Sequence, residues 1–170
     1  MKILFSLLLA FTLSLTGCIR HSDQQLKRKP RVKTVQENSG FRRLTPNLMV
    51  NDVNETIRFY HSNFGFDAVV TIPDTGKFNF AILSNGDVEL MIQKRESFSE
   101  DMNVPIDQQV GGTFSLFFEI SDIVPLADRT SAAGLQVVRQ LHQTFYGSKE
   151  FTVKDNNGYI LTFSEASRNK

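Results

Sequence analysis

The groups in this chain that could do chemistry are few. Its 170 residues contain three histidines, His21, His61 and His142, and one cysteine, Cys18. A divalent metal site needs three or four His, carboxylate or thiolate donors brought together. Here His21 lies in a polar stretch, His61 in a helical pattern and His142 in a stretch read as loop. Two carboxylates have more promise. Glu89 and Glu119 each fall within an alternating, strand-like run, on its more polar side. Together they could bind a cation or a ligand amine, or one could act as a general base. Each alone would equally well pair with a neighbouring Lys or Arg.

Strand alternation separates the residues around those acids into two faces. Pro46, Leu48 and Val50 oppose Thr45, Asn47 and Met49; Val88, Leu90 and Ile92 oppose Glu89, Met91 and Gln93. Further on, Phe114, Leu116, Phe118 and Ile120 oppose Ser115, Phe117 and Glu119, and Leu161 and Phe163 oppose Ile160, Thr162 and Ser164. One set is uniformly apolar, as a face packed under helices should be. The other mixes polar, acidic and large apolar groups, which suits a ligand cup with apolar walls and a few oriented polar groups. The alternative is a half-buried face closed by the rest of the chain or by a second subunit. Candidate ligand contacts are Asn47, Met49, Glu89, Met91, Ser115, Phe117, Glu119 and Thr162. Tyr146, beside Phe145 in the loop before the penultimate strand, would cap the cup and stack on a planar ligand.

The elements that must position these residues repeat. The first module, residues 43–94, opens with a strand-like run at 44–50. A helix over 52–64 follows, with Asp52 as N-cap and Gly65 as its left-handed stop. Val53, Ile57, Tyr60 and Phe64 share one face of that helix. Strands are expected at 66–72, 77–83 and 87–93, with turns at 73–76 and at Asn85-Gly86. The second module, residues 112–165, repeats the order. A strand at 113–120 leads to a helix from Asp122 that ends at Gly134. Strands at 135–141, 150–155 and 159–165 follow, with Asn157-Gly158 as the last turn. The class is therefore α+β: two tandem βαβββ modules. One unit alone would leave a sheet edge and a face uncovered. The stretch 95–112 between them is long for a connection.

Residues 1–15 combine Lys2 with a mostly apolar run, the pattern of a secretory leader and too short for a spanning helix. The run enters Leu15-Thr16-Gly17-Cys18, which resembles the bacterial lipobox. That resemblance implies a signal peptide over residues 1–17, a lipid on Cys18 and export to a membrane surface. In a Gram-negative cell, Ile19 after the cysteine is similar to the pattern sent to the outer membrane, facing the periplasm. A single cysteine makes no internal disulfide, and lipidation would consume it. Residues 18–40 lack an apolar period and carry Lys27, Arg28, Lys29, Arg31 and Lys33, as a solvated basic tether would. The remaining segment, residues 41–166, is one domain. Net charge is only +1, so no global field favours nucleic acid.

The order of these landmarks resembles the glyoxalase/bleomycin-resistance group of the vicinal oxygen chelate superfamily. The stretch 44–66 is similar to the opening of such a module. Residues 85–93 are similar to its last strand, and residues 146–163, with Gly147, Glu150, Phe151, Asp155 and Gly158, to the close of the second. The resemblance implies a cup-shaped mixed sheet with helices outside, and often a metal within it. Carried over residue by residue, the ligand positions are Thr45, Glu89, Ser115 and Thr162. Only Glu89 is a plausible ligand, so the expectation is no metal and no cofactor. The resemblance also implies that modules often pair across two chains, hence a homodimer.

Three functions compete. The first is a metal-free protein that sequesters a small, partly aromatic or cationic molecule at the cell envelope. The second is a glyoxalase-like lyase or isomerase, or another enzyme of this superfamily, using Glu89 or Glu119. The third is a structural envelope protein whose cup is filled by its own side chains.

Overall fold

The computed structural model describes residues 42–107, 109–112 and 114–166. The leader, Cys18 and the basic tether lie outside the described residues. Among the described residues no helix is long and apolar enough to cross a membrane.

The first module runs β1 (Asn47–Val50), α1 (Val53–Phe64), β2 (Asp67–Ile72), β3 (Phe80–Asn85) and β4 (Val88–Lys94). Its sheet has the order β1-β4-β3-β2, with β1 parallel to β4 and the other pairs antiparallel. The second module repeats this as β5 (Ser115–Glu119), α3 (Ile123–Ala132), β6 (Val137–Gln143), β7 (Lys149–Lys154) and β8 (Ile160–Glu165). Its sheet order is β5-β8-β7-β6, with the same pattern of directions. The class is α+β as expected, with the strands divided between two four-stranded mixed sheets.

Local chemistry sets the helix ends. The Asp52 side chain accepts from the Glu55 amide at 2.8 Å, and Gly65 stops α1 at φ 71°. Asp122 occupies the equivalent N-cap of α3 without a side-chain cap bond. There the Glu165 carboxylate, from the end of β8, takes the Ile123 amide at 2.8 Å. His142, read as loop, falls near the end of β6, because that strand continues to Gln143.

Two differences from the periodicity matter for the site. The buried stripe of α1 is Val53, Thr56, Tyr60 and Phe64, with Ile57 only partly covered. A buried Thr is tolerated because its hydroxyl donates to the Asp52 carbonyl at 2.7 Å and accepts from Asn157 of the second module at 2.9 Å. The connection 95–112 contains a helix, α2 (Arg95–Met102), which leaves β4 directly and ends at Asn103 in the left-handed region. No residue of α2 is fully buried, so no apolar stripe announces it.

Both modules feed one hydrophobic core. Leu48, Val50, Leu90 and Ile92 from the first sheet join Phe151, Val153, Leu161 and Phe163 from the second. Phe163 stacks on Phe64, Phe118 and Phe151, with ring centroids 5.0–5.2 Å apart. The turn at 155–159 locks the modules further. Asp155 accepts from the Tyr60 hydroxyl at 2.9 Å, Asn157 accepts from the Asn51 amide at 3.0 Å, and the Tyr159 hydroxyl donates to the Met49 carbonyl at 2.8 Å. Most of the apolar strand faces inferred from alternation are thus spent on this shared core, while Val88 and Phe114 at their edges stay exposed.

Candidate functional site

With most of the apolar faces consumed, the mixed faces are the candidates for a site. On the first sheet the pairing register draws a row across all four strands: Ile72, Phe80, Gln93 and Met49. Next to it, Asn47 pairs with Met91. Helix α2 adds Ser97, Asp101 and Met102, and with Asn47, Ile72, Asn79, Phe80 and Gln93 they line an open cavity of about 420 Å³. That volume suits a small organic molecule.

The polar side of this cavity is one connected chain. Gln93 is 3% exposed and fully bonded. Its Oε1 accepts from Asn47 Nδ2 at 2.8 Å, and its Nε2 donates to Ser97 Oγ at 2.9 Å and to the Asp101 carboxylate. Asn47 Oδ1 is buried and has no hydrogen-bond partner. A buried acceptor in that state costs on the order of 1–3 kcal/mol, which marks it as an interaction left open.

The same face carries Met49, which is buried, and the half-buried Met91 and Glu89. Glu89 is not free: the Arg43 guanidinium binds its Oε2 in a solvent-facing ion pair, of a kind that contributes little to stability.

The second sheet gathers a different set. Ser115, Phe117 and Glu119 line up along β5, all exposed, and Phe117 pairs in register with Thr162. The Thr162 hydroxyl is 3.2 Å from that of Thr152. Tyr146 donates its hydroxyl to Glu150 Oε1 at 2.6 Å, and Ser164 Oγ donates to the same oxygen at 3.3 Å. The bond to Glu150 holds the Tyr146 hydroxyl above its ordinary pKa. His142 pairs in register with Glu150. Its Nδ1 faces the Gln140 carbonyl at 3.0 Å, a carbonyl can only accept, and Nε2 is buried without a partner.

The expected contacts therefore fall into two groups. Asn47, Met49, Glu89 and Met91 share a face of the first sheet, and Ser115, Phe117, Glu119 and Thr162 share one of the second. Tyr146 joins the second group through Glu150 and Ser164. The 420 Å³ cavity has no wall from the second module. Glu119 borders a smaller cavity of about 170 Å³, walled by Phe64, Phe66, Phe118 and Phe163. The residues that sequence reasoning passed over are Gln93, Ser97 and Asp101. Gln93 stood on the mixed face, but nothing local tied it to an Asp eight positions on.

The positions where the resemblance implies metal ligands do not assemble a metal site. Thr45, Glu89, Ser115 and Thr162 offer one carboxylate, and it is bound by Arg43. Among the described residues no group of three or more His, Cys, Asp or Glu is placed to hold a metal. The donor set does not fit a divalent cation.

The fold defines a paired-βαβββ protein, with the open cleft on the face of its first sheet. The chain belongs to the Glyoxalase/Bleomycin resistance protein/Dioxygenase superfamily, whose model matches residues 42–163. Solved structures with this fold include TioX from Micromonospora sp. ML1, 21% identical, covering 73% of this chain and 98% of that one, with a TM-score of 0.58. A glyoxalase-related enzyme from Fulvimarina pelagi is 21% identical over 74% of this chain and 88% of its own, with a TM-score of 0.61. A glyoxalase/bleomycin resistance protein/dioxygenase from Nocardioides is 16% identical over 78% and 89%, with a TM-score of 0.63. These similarities carry the fold alone. Among curated proteins none matches the chain.

Proposed function

We propose that this protein is a metal-independent binder of a small, partly aromatic or cationic molecule, held at the cell envelope by a lipid on Cys18. The observation that carries the binding reading is the first-sheet cavity. It is large enough for a ligand and combines apolar walls with a connected polar chain that ends in an unpaired acceptor. The family's metal positions hold the wrong donors, so the reading needs no metal. The enzyme alternative is weakened at Glu89, because a carboxylate clamped by Arg43 is a poor base. The anchoring reading rests on the leader and on Leu15-Thr16-Gly17-Cys18. It places the domain outside the cytoplasm, on the periplasmic side of the outer membrane in a Gram-negative cell. Pairing with a second copy would cover the exposed Phe117 and Tyr146 of the second sheet, which favours a homodimer.

The test is a thermal-shift screen of the full chain in detergent, with amphipathic amines and aromatic antibiotics, with and without EDTA. At least one compound should raise the melting temperature in a saturable way, as preferential binding to the folded state requires. The rise should be the same with chelator. No stabiliser, or one that acts only without EDTA, would refute the reading. In the same cells, Cys18→Ser should move the protein out of the membrane fraction; continued membrane association would remove the lipid anchor from the proposal.

A further inference from the structure

Resting on the binding reading above, we infer that the first-sheet cavity selects a ligand carrying an N–H donor on a cationic, partly apolar body. Asn47 receives the donor, and Asp101 acts as the positioning residue that fixes which way the Asn47 amide faces.

The direction of the hydrogen-bond chain is not arbitrary. An ionised carboxylate only accepts. Asp101 therefore obliges Gln93 to turn its amide nitrogen toward α2, where that nitrogen also meets Ser97. The Gln93 oxygen is then left facing Asn47, which must answer with its own nitrogen. What remains is Asn47 Oδ1, an acceptor with no donor. Flipping either amide alone would set two acceptors or two donors against each other. Flipping both would set the Gln93 oxygen against the Asp101 carboxylate. Asn47 itself lines the cavity, so a ligand bound there meets the residue whose oxygen lacks a donor.

Charge points the same way. Asp101 is the one ionisable side chain lining this cavity, and no Lys, Arg or His accompanies it. An anion would meet a carboxylate and a carbonyl oxygen together, and a ligand offering only acceptors would leave Asn47 unpaired. An ammonium satisfies both groups. Ile72 and Met102, 55% and 49% exposed, leave apolar surface for the rest of the ligand to cover.

Four probes of similar size separate donor, charge and apolar contributions: 2-phenylethylamine, 2-phenylethanol, its methyl ether and 3-phenylpropanoate. Binding to the full chain in detergent is followed by ligand-detected NMR. The amine should bind tightest, and the alcohol about tenfold tighter than the ether, because the ether leaves the acceptor unpaired. The carboxylate should bind weakest. In Asp101→Asn, at an exposed position, the neutral amide can present either a donor or an acceptor to Gln93. The alcohol-to-ether ratio should then fall to about twofold. Loss of charge alone would weaken the amine and leave that ratio untouched. Asn47→Ala should abolish the ratio in an otherwise native background. Equal binding of alcohol and ether to the unmodified chain would overturn the inference and leave the binding reading standing. An unchanged ratio in Asp101→Asn would overturn the role of Asp101. Failure of all four probes to bind would remove both the inference and the reading beneath it.

Discussion

Asp155 is an acid that the fold shields from water. Burial pushes its carboxyl above the usual carboxylate range, and the bonds from the Tyr159 and Asn157 amides and the Tyr60 hydroxyl only partly offset this. The native state therefore keeps a proton that the unfolded chain has already released. Stability from this group is present below the ordinary aspartate pKa and is lost as pH rises through the raised native value. Asp155→Asn keeps an oxygen for the two amides and has no charge to bury. Its melting temperature minus that of the unmodified protein should climb between pH 4 and pH 7, measured by circular dichroism. A flat or falling difference would show that the carboxylate is better solvated than its surroundings imply. Asn157-Gly158 was legible in the sequence as a turn, and Asp155 through the family resemblance. Their partners Tyr60 and Thr56 were not, because they lie in another module and no spacing rule connects the two.

At the scale of elements, ten of the eleven described segments were readable because each has a period or a stop signal. The exception that shapes the site is α2. It buries no residue fully and is held by a glutamine whose amide reaches Ser97 and Asp101, four positions apart on one helix face. A connection held by polar anchors, Gln93 and the Arg95 bond to Asn51, looks like loop from its composition. The end of the same connection has a sharper constraint. At Gly111, φ is +80°, and an added Cβ would lie 2.7 Å from the Asn157 carbonyl oxygen. Gly112 has nearly the same φ, +83°, with open space around it. Gly112→Ala should cost about 1–2 kcal/mol from backbone strain. Gly111→Ala should cost roughly 2 kcal/mol more, because it also presses on the turn that joins the modules. Urea unfolding of the two variants measures the gap, and equal losses would mean that the turn yields freely.

For the whole molecule, the tandem repeat was visible in the order of Asp, helix, Gly and three strands. The sequence could not say how the halves divide their surfaces. Alternation marks an apolar face on each module, but it does not reveal that most of both faces is spent on one core, with α1 held against the second module through Tyr60 and Phe64. Nor does it place Asn47 and Glu119 at different cavities. If the core is shared, the domain should unfold as a unit. Phe163 is the sharpest probe, since its ring stacks on Phe64 of the first module and on Phe118 and Phe151 of the second. Phe163→Ala should cost about 3–5 kcal/mol. Native-state hydrogen exchange should show amides in α1 and in β7 losing protection by the same amount. Loss confined to β7 and its neighbours would mean that the first module holds its fold alone, and that the cavity under α2 can survive without the second.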